Sequence, residues 1–494
     1  SVGATAVLRR KEMAVTAAKE RREALMRAKR LCRVAVGSDD QPISDNDDIV
    51  MDEEPSILEI KALEAVEALK QAVAYRGKGE IQKRVNGLRC LRKILSKSEY
   101  PPVEAVLSAG GMPPLVQCLS FGSNNEQLLE AAWCFTNMAA GNLYEVDPFL
   151  PALPLLIAHI GDKSSIHVAE QCAWALGNLA AEGKEMRNIM LSQGALLPLA
   201  KMVLANKGSA VRTAAWALSN LLKGRDPAAA AKLIKVDGIV DGILHHLASR
   251  DEELATEIGW VVVYLTALSD LATTLLGRSS LPDVLVKRLM SSNSTSLLIP
   301  ILRSLGNLVA GDPYVANTVF APGNEITVNA VEAITKCLKF ENHALQKESA
   351  WVLSNLAAGS LDHKRLIHSS VEAMDSLIVL LSAAPFDVRK EAAYVLGNIC
   401  VVSDERANVI IEHLISIVGR GCLSGFVNLV RSPDTEAAMM GLQFMELVLR
   451  EMPDLEGVKI VEDLDGGIEA VERFQFHENE VLRNMANELA DKYF

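Results

Sequence analysis

From about Lys61 to the C-terminus, apolar residues fall in runs with helical spacing, separated by short polar or glycine-containing stretches. Runs such as Pro-Pro-Leu-Val-Gln-Cys-Leu, Leu-Leu-Pro-Leu-Ala-Lys-Met-Val and Ile-Val-Asp-Gly-Ile-Leu follow Gly111, Gly194 and Gly238. Each of these glycines stands 22 residues before a tryptophan, where it can end one helix before the next begins. A polar stretch such as Ser123-Asn124-Asn125 separates the second run from a longer third one. The pattern predicts a unit made of a short helix, a turn, a second helix, a loop and a long third helix.

Tryptophan is the ruler of this unit. All five tryptophans (Trp133, Trp174, Trp216, Trp260 and Trp351) occupy one position, in segments such as Gln-Cys-Ala-Trp174-Ala-Leu-Gly-Asn178 and Glu-Ser-Ala-Trp351-Val-Leu-Ser-Asn355. Arg303 and Tyr394 hold the same slot in further units, and Arg92 and Phe444 extend the series to either end. Successive spacings from Arg92 are 41, 41, 42, 44, 43, 48, 43 and 50 residues. Three helices per ~42 residues is the armadillo plan. The expected fold is therefore all-α: a right-handed superhelical armadillo solenoid of about ten repeats over residues 61–494, the last one partial and capping.

An asparagine stands four residues after the slot, one helical turn on and on the same face, at Asn137, Asn178, Asn220, Asn307, Asn355 and Asn398. A lone Trp at helical spacing is usually core, but an amide is costly to bury unless paired. A stripe of Trp and Asn repeated down a stack is thus expected on the solvent-filled concave surface along which solenoids bind. Neighbouring third helices lie roughly 10 Å apart and an extended peptide advances about 3.3 Å per residue, so each rung serves two to three residues. Asn amides can bond a peptide's N–H and C=O whatever its side chains. Adjacent indoles form slots in which a Lys or Arg stem packs while its cation meets ring faces and carboxylates such as Glu130, Glu170, Glu182 and Glu257. The expected ligand is an extended lysine-rich segment.

Composition and charge sharpen this. At 494 residues a length prior alone would suggest three domains, whereas the repeat makes one. Half of the residues, 49%, are apolar and only 5% aromatic, which suits helices packed through small side chains. Cys32, Cys90, Cys118, Cys134, Cys172, Cys337, Cys400 and Cys422 are scattered with neither CxxC pairs nor zinc spacing, which fits a reducing compartment. The longest apolar stretch, around Trp260 to Leu268, is far short of the roughly 20 residues of a spanning helix, so no membrane insertion is expected. The net charge of −12 is a sum of unlike parts. Residues 1–36 hold ten Lys and Arg against three Glu, for +7, and residues 37–60 hold nine acids and no base. The remainder carries −10.

Nothing argues for an enzyme, a cofactor or a metal. Gly177 to Gly183-Lys184 has one residue too many for a phosphate loop and lacks its Ser/Thr, and no GxSxG is present. His245-His246 and His363/His368 have no i, i+4 spacing and no Cys/His neighbours. The Asn293-Ser-Thr sequon is a chance match if the protein is cytosolic.

The Trp-x-x-x-Asn helices resemble those of the importin-α (karyopherin-α) family, the adaptors that carry nuclear-localisation signals, and the likeness covers nearly the whole chain. The C-terminal Arg473-Phe-Gln-Phe-His477-Glu478-Asn479-Glu with Asp491-Lys-Tyr493-Phe494 also looks like the family's last repeat. The resemblance implies a major signal site at Trp133, Asn137, Gln171, Trp174, Asn178, Glu182, Trp216 and Asn220. It implies a minor one at Asn307, Trp351, Asn355, Glu391, Tyr394 and Asn398, with Tyr264 and Arg303 breaking the ladder between them. Glu182 stands where the family usually has Asp, Val146 where it has Thr and Tyr394 where it has Trp, which marks a divergent branch.

Residues 9–34 hold many helix formers and no Pro or Gly, and read as a charged helix unable to form a core by itself. This segment resembles the family's importin-β-binding arm, which implies carrier-binding and autoinhibitory roles for Arg9, Arg10, Lys11, Arg21, Arg22, Lys29 and Arg30. Lys29-Arg30 would lie in the major groove when no carrier is bound, and the acidic residues 37–60 would be a flexible tether. With no aromatic in residues 1–36 to stack on bases, and an acidic body, nucleic acid is not an expected partner. The resemblance further implies an export receptor at the C-terminal repeats and shuttling between cytoplasm and nucleus. The alternative is an armadillo scaffold of the adhesion or signalling type with no import role, but such scaffolds present a basic groove to acidic tails.

Overall fold

The computed structural model describes residues 54–494 apart from 99, 142, 144–145, 162–164, 206, 225, 322–324 and 402–406. Arg9, Arg10, Lys11, Arg21, Arg22, Lys29 and Arg30, and the acidic stretch through Glu53, lie outside the described residues. The described residues contain helices and no strand, and fall into two compact units, one ending at Ala272 and one beginning at Thr273. The first described helix, Pro55–Ala74, begins inside the segment read as tether, so residues 55–60 are helical. Pro55 at its first turn has no amide to leave unsatisfied, and Leu58 is already buried, which draws the helix start upstream of Lys61.

The repeating unit is clear in Lys184–Ser192, Leu196–Ala205 and Ala210–Leu222. Its first two helices are bent by 81° at a short break, and the corresponding pair Leu361–Ser369 and Val371–Ala383 by 85°. Gly194 makes the first of these turns at φ 85°, a left-handed conformation that costs a side-chain-bearing residue energy. In the second repeat the left-handed residue is Gly110 and not Gly111; Gly111 is needed for space, since a Cβ there would lie 2.6 Å from Val106 Cγ1. Asn124, Asp251, Asn342 and Asp434 cap third helices by accepting a backbone N–H from the first turn, each worth about 1 kcal/mol.

Third helices pack on one another in chain order. In the first unit these are Glu80–Leu95, Asn125–Ala140, Ile166–Glu182, Ala210–Leu222 and Glu252–Leu268. In the second they are Thr295–Gly311, His343–Ala357, Phe386–Ile399 and Thr435–Glu451, against which the last helix, Glu480–Tyr493, is seated. Basic side chains on second helices reach back to the carbonyl end of the preceding second helix: His159 to Leu119 O at 2.6 Å, His246 to Val203 O at 2.9 Å and Lys336 to Ser292 O at 2.9 Å. A carbonyl only accepts, so each of the two ring nitrogens, like the Lys336 ammonium, is the donor.

One consequence is a pH dependence. His368 and His413 stack at 4.1 Å between ring centroids, and burial, reinforced for His368 by His413 and Arg420 and for His413 by Arg365 and Lys364, lowers both from the ordinary value of 6.5. Below pH 6.5 the unfolded chain takes up these protons before the folded one does, so stability is lost as pH falls. The melting temperature is expected to drop between pH 7 and 5, and to drop less in His413→Gln; an equal drop in both would remove the pair from the account.

Candidate functional site

Along the first unit, Trp133, Trp174 and Trp216 sit at matching positions of three consecutive third helices. The Arg92 guanidinium lies over the Trp133 ring, 4.1 Å from its centroid, and donates to Glu130 Oε2 at 2.8 Å. Asn137 Nδ2 donates to Ser96 Oγ at 2.8 Å, Asn178 Nδ2 to Thr136 O at 3.0 Å and Asn220 Nδ2 to Gly177 O at 3.1 Å. Gln171 Nε2 donates to Thr136 Oγ1 at 2.8 Å, and that hydroxyl donates on to Gln171 O. The Trp216 ring lies so close over Gly177 that a Cβ there would come within 2.2 Å of Cζ3.

The second unit repeats the device. Trp351 covers Gly306, where a Cβ would lie 2.3 Å from Cζ3, and Asn355 Nδ2 donates to Gly306 O at 3.3 Å. Asn398 Nδ2 donates to Ser354 O at 3.2 Å. Arg303, in a tryptophan slot, donates through Nε to Glu348 Oε2 at 3.1 Å and through Nη2 to Oε1, both side chains being buried. Tyr394, also in a slot, donates its hydroxyl to Glu436. Asn307 and Glu391 are buried and Tyr394 and Asn398 half-buried.

Two expectations need correction. The ladder was expected to face solvent, but Trp133, Trp216 and Trp351 are 5%, 1% and 3% exposed, and Asn137, Asn178 and Asn220 no more than 1%. Burial is tolerated because each of these amide nitrogens donates to an oxygen of the neighbouring repeat, and each of Trp216 and Trp351 fills the space over a glycine. Trp174 and Glu182 remain half-buried, and Asn220 Oδ1 has no hydrogen-bond partner among the described residues. The second correction concerns the carboxylates expected to meet a ligand's cation. Glu130 is held by Arg89 and Arg92, Glu170 accepts from Ser209 and Thr213 at 3.0 Å each, and Glu257 accepts from Ser219 at 3.2 Å. Burial raises the Glu170 carboxyl above its usual value, against the pull of those two hydroxyls. Of the four, Glu182 alone is half-buried rather than buried.

Sequence reasoning missed Thr136 and the receiving glycines Gly177 and Gly306. Their signal is in the chain at two rungs: Gly177 and Gly306 each stand three residues after a slot, and the next repeat brings Trp216 and Trp351 over them.

The armadillo/β-catenin-like repeat model matches residues 99–140 and a HEAT-like repeat model residues 125–179. The crystal structure of an engineered protein superposes with a TM-score of 0.73 at 24% identity, covering 86% of this chain and 98% of that one, a likeness of fold. The chain is thus an all-α armadillo solenoid. It is 54% identical over 497 residues to importin subunit alpha-2 of Oryza sativa subsp. japonica, covering 100% of this chain and 94% of the relative. It is 60% identical over 497 residues to importin subunit alpha-9 of Arabidopsis thaliana, covering 100% and 95%. With such identity along its whole length, on a ladder of Trp and Asn carried by packed armadillo helices, this chain belongs to the importin-α family.

Proposed function

We propose that this nuclear-import adaptor takes its cargo by holding an extended, lysine-rich nuclear-localisation signal along the ladder helices. The major site is Trp133, Asn137, Gln171, Trp174, Asn178, Glu182, Trp216 and Asn220, within the unit ending at Ala272. The minor site is Asn307, Trp351, Asn355, Glu391, Tyr394 and Asn398, within the unit beginning at Thr273. The observation that carries this reading is Trp174, a half-exposed indole on a helix packed between those of the buried Trp133 and Trp216. A lysine stem lies along its ring and places the ammonium towards Glu182, at the end of the same helix.

The +7 arm of residues 1–36 couples this cargo to importin-β, and Lys29-Arg30 competes for the major site when no carrier is present. The C-terminal repeats then serve an export receptor, so that the protein cycles between cytoplasm and nucleus. No catalytic step enters.

A lysine-rich signal peptide titrated with the full chain and with a form lacking residues 1–36 tests both parts. The truncated form is expected to bind more tightly; equal binding removes the autoinhibitory contact. Trp174→Ala is expected to weaken binding about thirtyfold, the size of an aromatic hot spot of ~2 kcal/mol. It also separates recognition from packing, because Asn178→Ala would in addition release Thr136 O on the neighbouring helix. Unchanged affinity in Trp174→Ala ends the groove reading.

A further inference from the structure

Away from the ladder, the first unit carries a cleft beside the loops that lead into its third helices. It lies where Ile166–Glu182 begins and the second helix of the next repeat, Leu196–Ala205, passes it, and its volume is about 460 Å³. Ile166, Leu197, Pro198 and Met202 give it an apolar wall. Ile166 and Leu197 are 38% and 47% exposed, so the wall holds apolar area that a partner can cover. Phe121, 68% exposed, stands in the corresponding loop one repeat earlier, 5.1 Å from the ring of His159, which adjoins Ile160 of the cleft. The apolar line thus runs on towards the first repeat. Lys201 and Lys207 are the ionisable residues of the wall, both exposed and neither ion-paired among the described residues. In repeats that carry −10, a cleft with cations alone selects an acidic occupant, and its apolar wall selects one with an aliphatic anchor.

The chain supplies such a segment. Residues 37–53, outside the described ones, hold seven acids and no base, and Ile43 among them is flanked by Asp39, Asp40 and Asp45. They lead to Glu54, which caps Pro55–Ala74 in the first repeat of the same unit. Eleven residues separate Ile43 from Glu54, a reach of up to about 36 Å at about 3.3 Å per residue. The cleft is two to three rungs of roughly 10 Å, or about 20–30 Å, from the first repeat, so the anchor can arrive there. We propose that the acidic segment docks in this cleft, with Ile43 against the apolar wall and Asp39, Asp40 and Asp45 facing Lys201 and Lys207. The chain is then pinned at the start of Ile166–Glu182, the helix that also carries Trp174 and Asn178. Pinning shortens the link from Arg30 to its anchor from twenty-four residues to thirteen. Effective concentration falls as about the −3/2 power of length, so Lys29-Arg30 gains about 2.5-fold at the major site. That consequence rests on the autoinhibitory reading above; the docking itself does not.

The full chain with a benzophenone side chain in place of Ile43 tests the placement. Irradiated at low concentration, it is expected to cross-link within one chain to Met202, Leu197 or Ile166. Lys201→Glu with Lys207→Glu is expected to cut that yield about fivefold, the worth of two exposed ion pairs, and Asp39→Lys with Asp40→Lys in the same chain to restore it. No cross-link, cross-links confined to other helices, or a yield unmoved by the lysine changes overturns the docking. Cross-links between two chains, rising with concentration, overturn it in favour of a second copy's segment. Affinity for a lysine-rich peptide separates the docking from its consequence. The gain in affinity on removing residues 1–36 is expected to shrink about 2.5-fold in the chain carrying both lysine changes. The intrachain cross-link in a protein whose affinity is the same with or without residues 1–36 upholds the docking and ends the autoinhibitory reading; a gain in affinity without the cross-link does the reverse.

Discussion

Trp216→Ala is expected to destabilise the first unit by about 3–5 kcal/mol, the cost of emptying a fully buried aromatic site. The ring is 1% exposed and lies directly over Gly177, so its loss opens a cavity between Ile166–Glu182 and Ala210–Leu222 that bare glycine backbone cannot fill. Collapse of the two helices would strain the bond from Asn220 Nδ2 to Gly177 O. Hydrogen exchange resolved by segment is the right measurement, because a repeat array opens locally and a single global unfolding energy is poorly defined. Protection should fall in both helices. Trp174→Ala, at a half-exposed ring, should cost less stability and more peptide affinity. If Trp216→Ala leaves protection in Ile166–Glu182 unchanged, the stacking account is wrong.

The second large effect is expected at Arg303 and Glu348. Their side chains are 9% and 5% exposed, and the guanidinium spans both carboxylate oxygens. Breaking such a pair from one side leaves an uncompensated buried charge, so Arg303→Met or Glu348→Leu alone should cost ~3–5 kcal/mol. The double variant should recover most of that loss, since apolar groups of similar volume replace a buried pair at little net cost. A double-mutant cycle read by hydrogen exchange over Thr295–Gly311 and His343–Ala357 gives the coupling, and simple additivity of the two single losses would refute the pair. The pair also says why an arginine is accepted in a tryptophan slot: its planar head covers the slot only because the following repeat brings a carboxylate, Glu348, three residues before its own tryptophan. Arg92 with Glu130, three residues before Trp133, is the same arrangement at the other end of the ladder.

The period, the three-helix unit and the register of the ladder were readable from residue types, because helix formation and amphipathic spacing are local. Arg92, Arg303, Tyr394 and Phe444 could be placed in the tryptophan slot by counting. What their side chains do there could not: for Arg92, Arg303 and Tyr394 the answer lies in a residue of the next repeat, Glu130, Glu348 and Glu436, and for Phe444 in a ring on another helix of its own repeat. Phe444 shows this most directly: its number puts it over Gly397, but a phenyl ring gains more by stacking on Phe426 within its own repeat. The family resemblance located the candidate site residues, and the +7 arm suggested the carrier; neither says which carboxylates the fold has already used.

By itself, then, the sequence determined that this protein is a chain of helical repeats with one privileged face, and which residues stand on that face. Periodicity of 3.6 within a helix and of about 42 between repeats carries that information without any long-range contact. Tertiary structure alone decided how much of the face is open. Asparagines that looked too costly to bury are buried because an oxygen on the adjacent helix takes their amide hydrogen, as Thr136 O does for Asn178. Trp216 and Trp351 lie against a helix because a glycine one repeat earlier lacks the Cβ that would exclude them, whereas Trp133 is covered by Arg92 instead.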